Sequence, residues 1–121
     1  MTETAAVDPA AESRRLNNEA AMLHVNGEAE AARARYAEAL AADPGNASAH
    51  NNLGHLLASA GELDAAVAAY ETALSLDPER TVALANLAAA RAAQGDPAAG
   101  VPLLERAVAL APDDAGVWEN L

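Results

Sequence analysis

An all-α solenoid of antiparallel helical hairpins is the fold that this 121-residue sequence predicts, and three observations predict it. The first is a period. Gly27, Gly61 and Gly95 stand 34 residues apart, as do Pro44, Pro78 and Pro112, Ala39, Ala73 and Ala107, and Leu40, Leu74 and Val108. A fixed step of this length marks a repeat architecture, in which each unit buries its apolar face on the next. The second is composition: hydrophobic residues make up 52% of the chain but aromatics only 2%, with no Phe. The core must therefore be built from Ala, Leu and Val, and Ala and Leu are strong helix formers. The third is spacing within each unit, where apolar residues recur at helical intervals between Gly and Pro breaks.

The elements follow in order. Residues 1–12 read as a flexible N-terminal segment and the start of the first helix, with Asp8 as cap and Pro9 at the first helical position. Three units then span 13–46, 47–80 and 81–114. The middle one is the clearest. Leu53, Leu56, Leu57 and Ala60 form an apolar stripe on its first helix, and Gly61 ends that helix by accepting a left-handed conformation. Leu63, Ala66, Val67, Tyr70, Ala73 and Leu74 form the second stripe, which Asp77-Pro78 stops. Residues 115–121 read as the start of a fourth-unit helix or as a capping helix, and the first is favoured, with the chain expected to be cut from a longer array.

Composition also excludes functions. Seven basic residues, all Arg, face eighteen acidic ones, for a net charge of −11. That balance repels phosphate backbones and anionic membrane surfaces, so neither nucleic acid nor membrane is an expected partner. With no Cys, disulfides and thiolate chemistry are ruled out. Met1-Thr2-Glu3-Thr4 is not the start of a signal peptide, and no apolar run is long enough to span a membrane, which predicts a cytoplasmic protein.

The spacing resembles the tetratricopeptide repeat. The second unit carries the resemblance in Leu53-Gly54, Leu57, Gly61, Ala66, Tyr70, Ala73 and Pro78. The first carries it in Ala20, Leu23, Gly27, Ala32, Tyr36, Ala39 and Pro44, and the third in Leu87-Ala88, Gly95, Ala107 and Pro112. Trp118 and Leu121 match positions four and seven of a fourth unit. Departures are Glu19, where the family usually has Leu, and Gly100 in place of the small Ala. Pro102 falls inside the expected second helix of the third unit, where an uncompensated Pro costs ~3 kcal/mol. The third hairpin is therefore expected to be the weakest.

The resemblance implies a concave groove that binds an extended polypeptide. Asn18, Asn52, Asn86 and Asn120 hold position six of successive first helices, which faces the groove in this family. A side-chain amide offers both an acceptor and a donor, so a row of them can pair with peptide backbone. The row is similar to the asparagine ladder of O-linked N-acetylglucosamine transferase arrays. By the same mapping the groove includes Arg14, Asn17 and His24 from the first unit and Ser48, Asn51 and His55 from the second. The paired Lys and Arg with which chaperone-binding members seize a terminal carboxylate are missing, and Arg14 is a poor substitute.

No chemistry beyond binding is expected. No phosphate loop or nucleophile motif occurs, and no cofactor is implied. His50 and His55 are five residues apart, off the same-face spacing, and His24 lies a unit away, so no metal site is expected. The two Tyr read as packing residues, which is their place in the family. The chain itself is thus expected to be a non-catalytic protein-binding module. It would be the substrate-recruiting N-terminal part of a larger bacterial protein, such as a glycosyltransferase acting on flagellin. The alternative is a stand-alone scaffold, a co-chaperone-like adaptor or a self-associating assembly protein, and Trp118 would favour dimers or end-to-end stacking through the C-terminal surface.

Overall fold

The computed structural model describes residues 8–111. The expectations for residues 1–7, for Trp118, Asn120 and Leu121, and for stacking through them lie outside that range. Within it the order is α1 (Pro9–Val25), α2 (Ala29–Ala42), α3 (Ala47–Ser59), α4 (Leu63–Leu76), α5 (Thr81–Ala93), a 3-10 turn (Pro97–Gly100) and α6 (Val101–Leu110). The helices pair as three antiparallel hairpins, α1 with α2, α3 with α4 and α5 with α6.

The hairpin turns are set locally. Gly27, Gly61 and Gly95 have φ of +82°, +81° and +94°, a region that L side chains avoid. Each closes the same pair of bonds at its helix end. Around Gly61, the Glu62 N–H donates to Leu57 O at 2.9 Å and the Gly61 N–H to Ala58 O at 3.0 Å. Asp8 caps α1 by accepting from the Ala10 N–H, with Pro9 at the first position as its missing N–H requires. Asn46 caps α3 by accepting from Ala49 N at 3.0 Å. Arg80 holds the matching place before α5 and makes no side-chain cap.

The expected flaw at Pro102 is corrected by the structure. The second helix of the third hairpin does not run through it. A 3-10 turn precedes α6, and Pro102 falls in the first turn of that new helix, where no backbone acceptor needs its N–H. Ala60 is also placed differently from the expected stripe, since it is exposed as the C-cap of α3.

Packing joins each hairpin to the next. Leu56 of α3 sits among Ala20, Ala32 and Tyr36, and Ala49 packs with Leu16 and Ala39. Leu87 and Ala90 of α5 sit on Leu57, Ala66, Val67 and Tyr70. Tyr36 and Tyr70 are 1% and 2% exposed, which puts them among the largest buried side chains. Gly54 makes the space for Tyr70, since a Cβ there would lie 2.7 Å from the ring. Glu19 is tolerated because it sits half-exposed and pairs with Arg35 at 3.0 Å and Arg15 at 3.3 Å.

Candidate peptide-binding groove

The first helices form the inner layer. Helix α3 touches both α1 and α5, whereas among the described residues α2, α4 and α6 do not touch one another. The row therefore bends with α1, α3 and α5 on its inner side, and at position six Asn18 is exposed while Asn52 and Asn86 are half-buried.

The asparagines divide by one position. Asn17 and Asn51, both expected in the groove, are 6% and 5% exposed and serve as buried joints between hairpins. Asn52 donates from Nδ2 to Asn17 Oδ1 at 3.1 Å, and Asn86 does the same to Asn51 Oδ1 at 3.1 Å. Asn17 in turn donates to Ser48 Oγ at 3.2 Å, which also draws Ser48 into the joint. Nearby, Asn46 donates to Ser13 Oγ at 2.9 Å and Ser13 donates to Ala39 O at 2.7 Å. A buried polar group is stable only when it is satisfied, so these bonds fix how one hairpin sits on the next. The reason sequence mapping missed this is geometric. Positions five and six are neighbours, and only the angle between successive hairpins decides which of them faces inward.

Asn18 is exposed at the N-terminal end of the groove, beside Ala21, Met22, Val25 and Asn26. Met22 and Val25 are 66% and 86% exposed, an apolar patch that the mapping also missed and that their i, i+3 spacing on α1 signals. Arg14 is exposed and forms no ion pair among the described residues. His24 and His55, distant in sequence, meet with ring centroids 5.5 Å apart. They line an open cleft of about 300 Å³ with Ala21, Val25, Tyr36 and Asn52. His50 is turned away from it, its Nε2 lying 2.9 Å from Pro44 O. Burial pushes both phenols up, Tyr70 to about 12, so they stay neutral packing groups at ordinary pH.

Sequence profiles of the tetratricopeptide repeat match residues 47–80 and 81–121. The chain belongs to this family. Solved structures agree in fold. The first repeat domain of Spaghetti (RPAP3), bound to the HSP90 peptide SRMEEVD, superposes with a TM-score of 0.89 at 22% identity, over 95% of this chain and 93% of that one. The repeat domain of Arabidopsis OM64 gives 0.87 at 15% identity, over 93% of each chain. MamA gives 0.75 at 24% identity, over 85% of this chain and 56% of that one. No curated protein sequence matches the chain. The glycosyltransferase context expected from the ladder has no counterpart among these relatives. No described helix is long and apolar enough to cross a membrane.

Proposed function

We propose that this repeat domain recruits a partner protein by holding an extended segment of it in the concave groove. The observation that carries the reading is the state of Asn52 and Asn86. Each commits one amide N–H to the preceding hairpin, at 3.1 Å, which holds its side chain in place. Its carbonyl oxygen and second N–H accept and donate nothing else among the described residues, a pair that complements one peptide unit of a ligand. Ordering the amides before binding lowers the entropy lost on association. The ligand is read through its backbone, with Met22, Val25 and Ala21 offering apolar contact at the N-terminal end. An acidic tail such as the one bound to RPAP3 fits poorly. The chain carries a net charge of −11, and its groove offers Arg14 and no Lys.

The test starts from a partner captured with the domain as bait and reduced to its binding segment. The pair Asn52→Ala and Asn86→Ala should weaken that segment by ~0.5–1.5 kcal/mol for each hydrogen bond removed. Asn17→Ala keeps both groove amides but frees Asn52 from its anchor, so it should lower stability and weaken the segment less than the double variant does. Unchanged affinity in the double variant, with unchanged circular dichroism, would overturn the reading.

A further inference from the structure

We infer that His24 and His55 form a two-imidazole site for a divalent transition ion of the zinc, nickel and copper class. The site lies at the seam between the first two hairpins. His24 is on the last turn of α1 and His55 in the middle of α3, 31 residues apart in sequence, yet their ring centroids stand 5.5 Å apart with the planes tilted by 59°. That spacing has a chemical meaning. With metal–nitrogen bonds of about 2.0–2.1 Å and a tetrahedral angle at the ion, the centres of two imidazoles on one metal stand about 5.3 Å apart. The ring separation therefore matches that of two imidazoles sharing one ion.

Three further features fit. The cleft between the rings is open, about 300 Å³, so an ion can enter and keep water on its remaining positions. No ring nitrogen of His24 or His55 is hydrogen-bonded among the described residues, whereas His50 is tied to Pro44 O at 2.9 Å. The cleft is lined by no Arg, so no resident cation opposes the ion there. Imidazole nitrogen suits zinc, nickel and copper and does not suit calcium or magnesium. No cluster of three or more His, Asp or Glu side chains is placed to hold a metal among the described residues, so this is a two-ligand site with an open face. An ion there would bridge hairpins one and two and offer its open positions toward the groove. The inference stands apart from the peptide reading, because its probe is the metal alone.

The experiment uses the full chain without an affinity tag, titrated with zinc chloride and separately with magnesium chloride. Calorimetry is the readout, together with the imidazole ring signals in nuclear magnetic resonance. Zinc should bind one per chain below millimolar concentration, shift the His24 and His55 signals, and leave those of His50 in place; magnesium should do none of this. His24→Gln and His55→Gln should each weaken zinc at least tenfold, and His50→Gln should not. Gln keeps the size and polarity of the position, and circular dichroism confirms that each variant is folded. Zinc binding that survives either His24→Gln or His55→Gln, or no binding up to millimolar zinc, would overturn the site.

Discussion

The second and third hairpins are built on one 34-residue plan and hold themselves together differently. In the second, α4 runs unbroken for 14 residues and seats Tyr70 against Gly54, with the ring 2% exposed. In the third, a 3-10 turn and a 10-residue α6 share the same stretch, and Leu104 takes the place of the tyrosine. Leu104 borders a cleft of about 300 Å³ that it shares with Ala88, Ala92, Gly100 and Val101. The start differs as well. Asn46 caps α3, whereas Arg80 before α5 makes no cap and has a buried Nε without a hydrogen-bond partner, 3.5 Å from Asp77 Oδ2. The difference teaches that a period in sequence sets where hairpins occur, while the residue at one packing position sets how firmly each is held. In a solenoid, stability is close to a sum of units and their interfaces, so a weak unit can open without the rest.

Removing the wedge is the strongest way to break this contrast. Tyr70→Ala should destabilise by about 3–5 kcal/mol, because the ring fills the joint between the second and third hairpins. Leu104→Ala should cost about 2 kcal/mol, the low end for a buried leucine, since its site already opens on a cleft. Urea unfolding followed by circular dichroism checks both. A larger loss from Leu104→Ala would show that the third hairpin carries the array.

Next in size is the space that the wedge needs. Gly54→Ala would put a Cβ 2.7 Å from Tyr70 Cε1 and should cost about 1–3 kcal/mol, after the helical preference of Ala is counted. Gly100→Ala meets Ala88 Cβ at 3.0 Å, its O at 3.2 Å and its Cα at 3.3 Å, longer approaches than at Gly54, so only a few tenths of an ångström of movement is needed. Its cost should be smaller than that of Gly54→Ala, about 1 kcal/mol or less. Thermal midpoints of the two variants measure the difference, and equal losses would mean that the third hairpin is packed as tightly as the second.

The polar joint comes third. Asn51→Ala removes the acceptor of Asn86 Nδ2 and should cost about 1 kcal/mol, with faster amide exchange in α5 and little change in α1. Uniform exchange across the chain would show that the joint is not local.

Much of the fold was legible because its causes are local. Left-handed turns demanded glycine at 27, 61 and 95, and Pro44 and Pro78 ended helices where a ring and a missing N–H end them. The tyrosines were legible as core through the resemblance to the family, and both are buried. Pro102 misled because a helix start can move by a turn, which converts a breaker into a first-turn residue. The site was less legible. Asn17 and Asn52 differ by one position in the repeat, yet one is buried and the other half-exposed. The pairing of His24 with His55 depends on the angle between hairpins, which no spacing within a unit encodes.

The smallest expected effect separates the two joints by charge. Across the first, Arg33 on α2 reaches Glu62 beside α4, at 2.7 and 3.2 Å. Across the second, the comparable contact from α5 to α4 is Arg91 with Glu71 at 3.3 Å, backed by the neutral Gln94 on Asp64 at 2.7 Å. The paired side chains are between a third and about half exposed, and pairs so open to solvent contribute little and are screened by salt. The hydrogen bond from Arg33 holds the Glu62 carboxyl below its ordinary value of 4.5. A lowered carboxyl stabilises the fold above its unfolded value, and that contribution is lost as pH falls through the folded one. Between neutral pH and 4.5 the pair should therefore leave stability unchanged, and it should fade only in more acid solution. Following the Glu62 carboxyl carbon by magnetic resonance should show its midpoint below 4.5, returning upward in Arg33→Gln. At neutral pH the thermal midpoint of Arg33→Gln should barely move, while Asn17→Ala in the same joint should lower it clearly. The reverse order would make the first joint an ionic one and its asparagines bystanders.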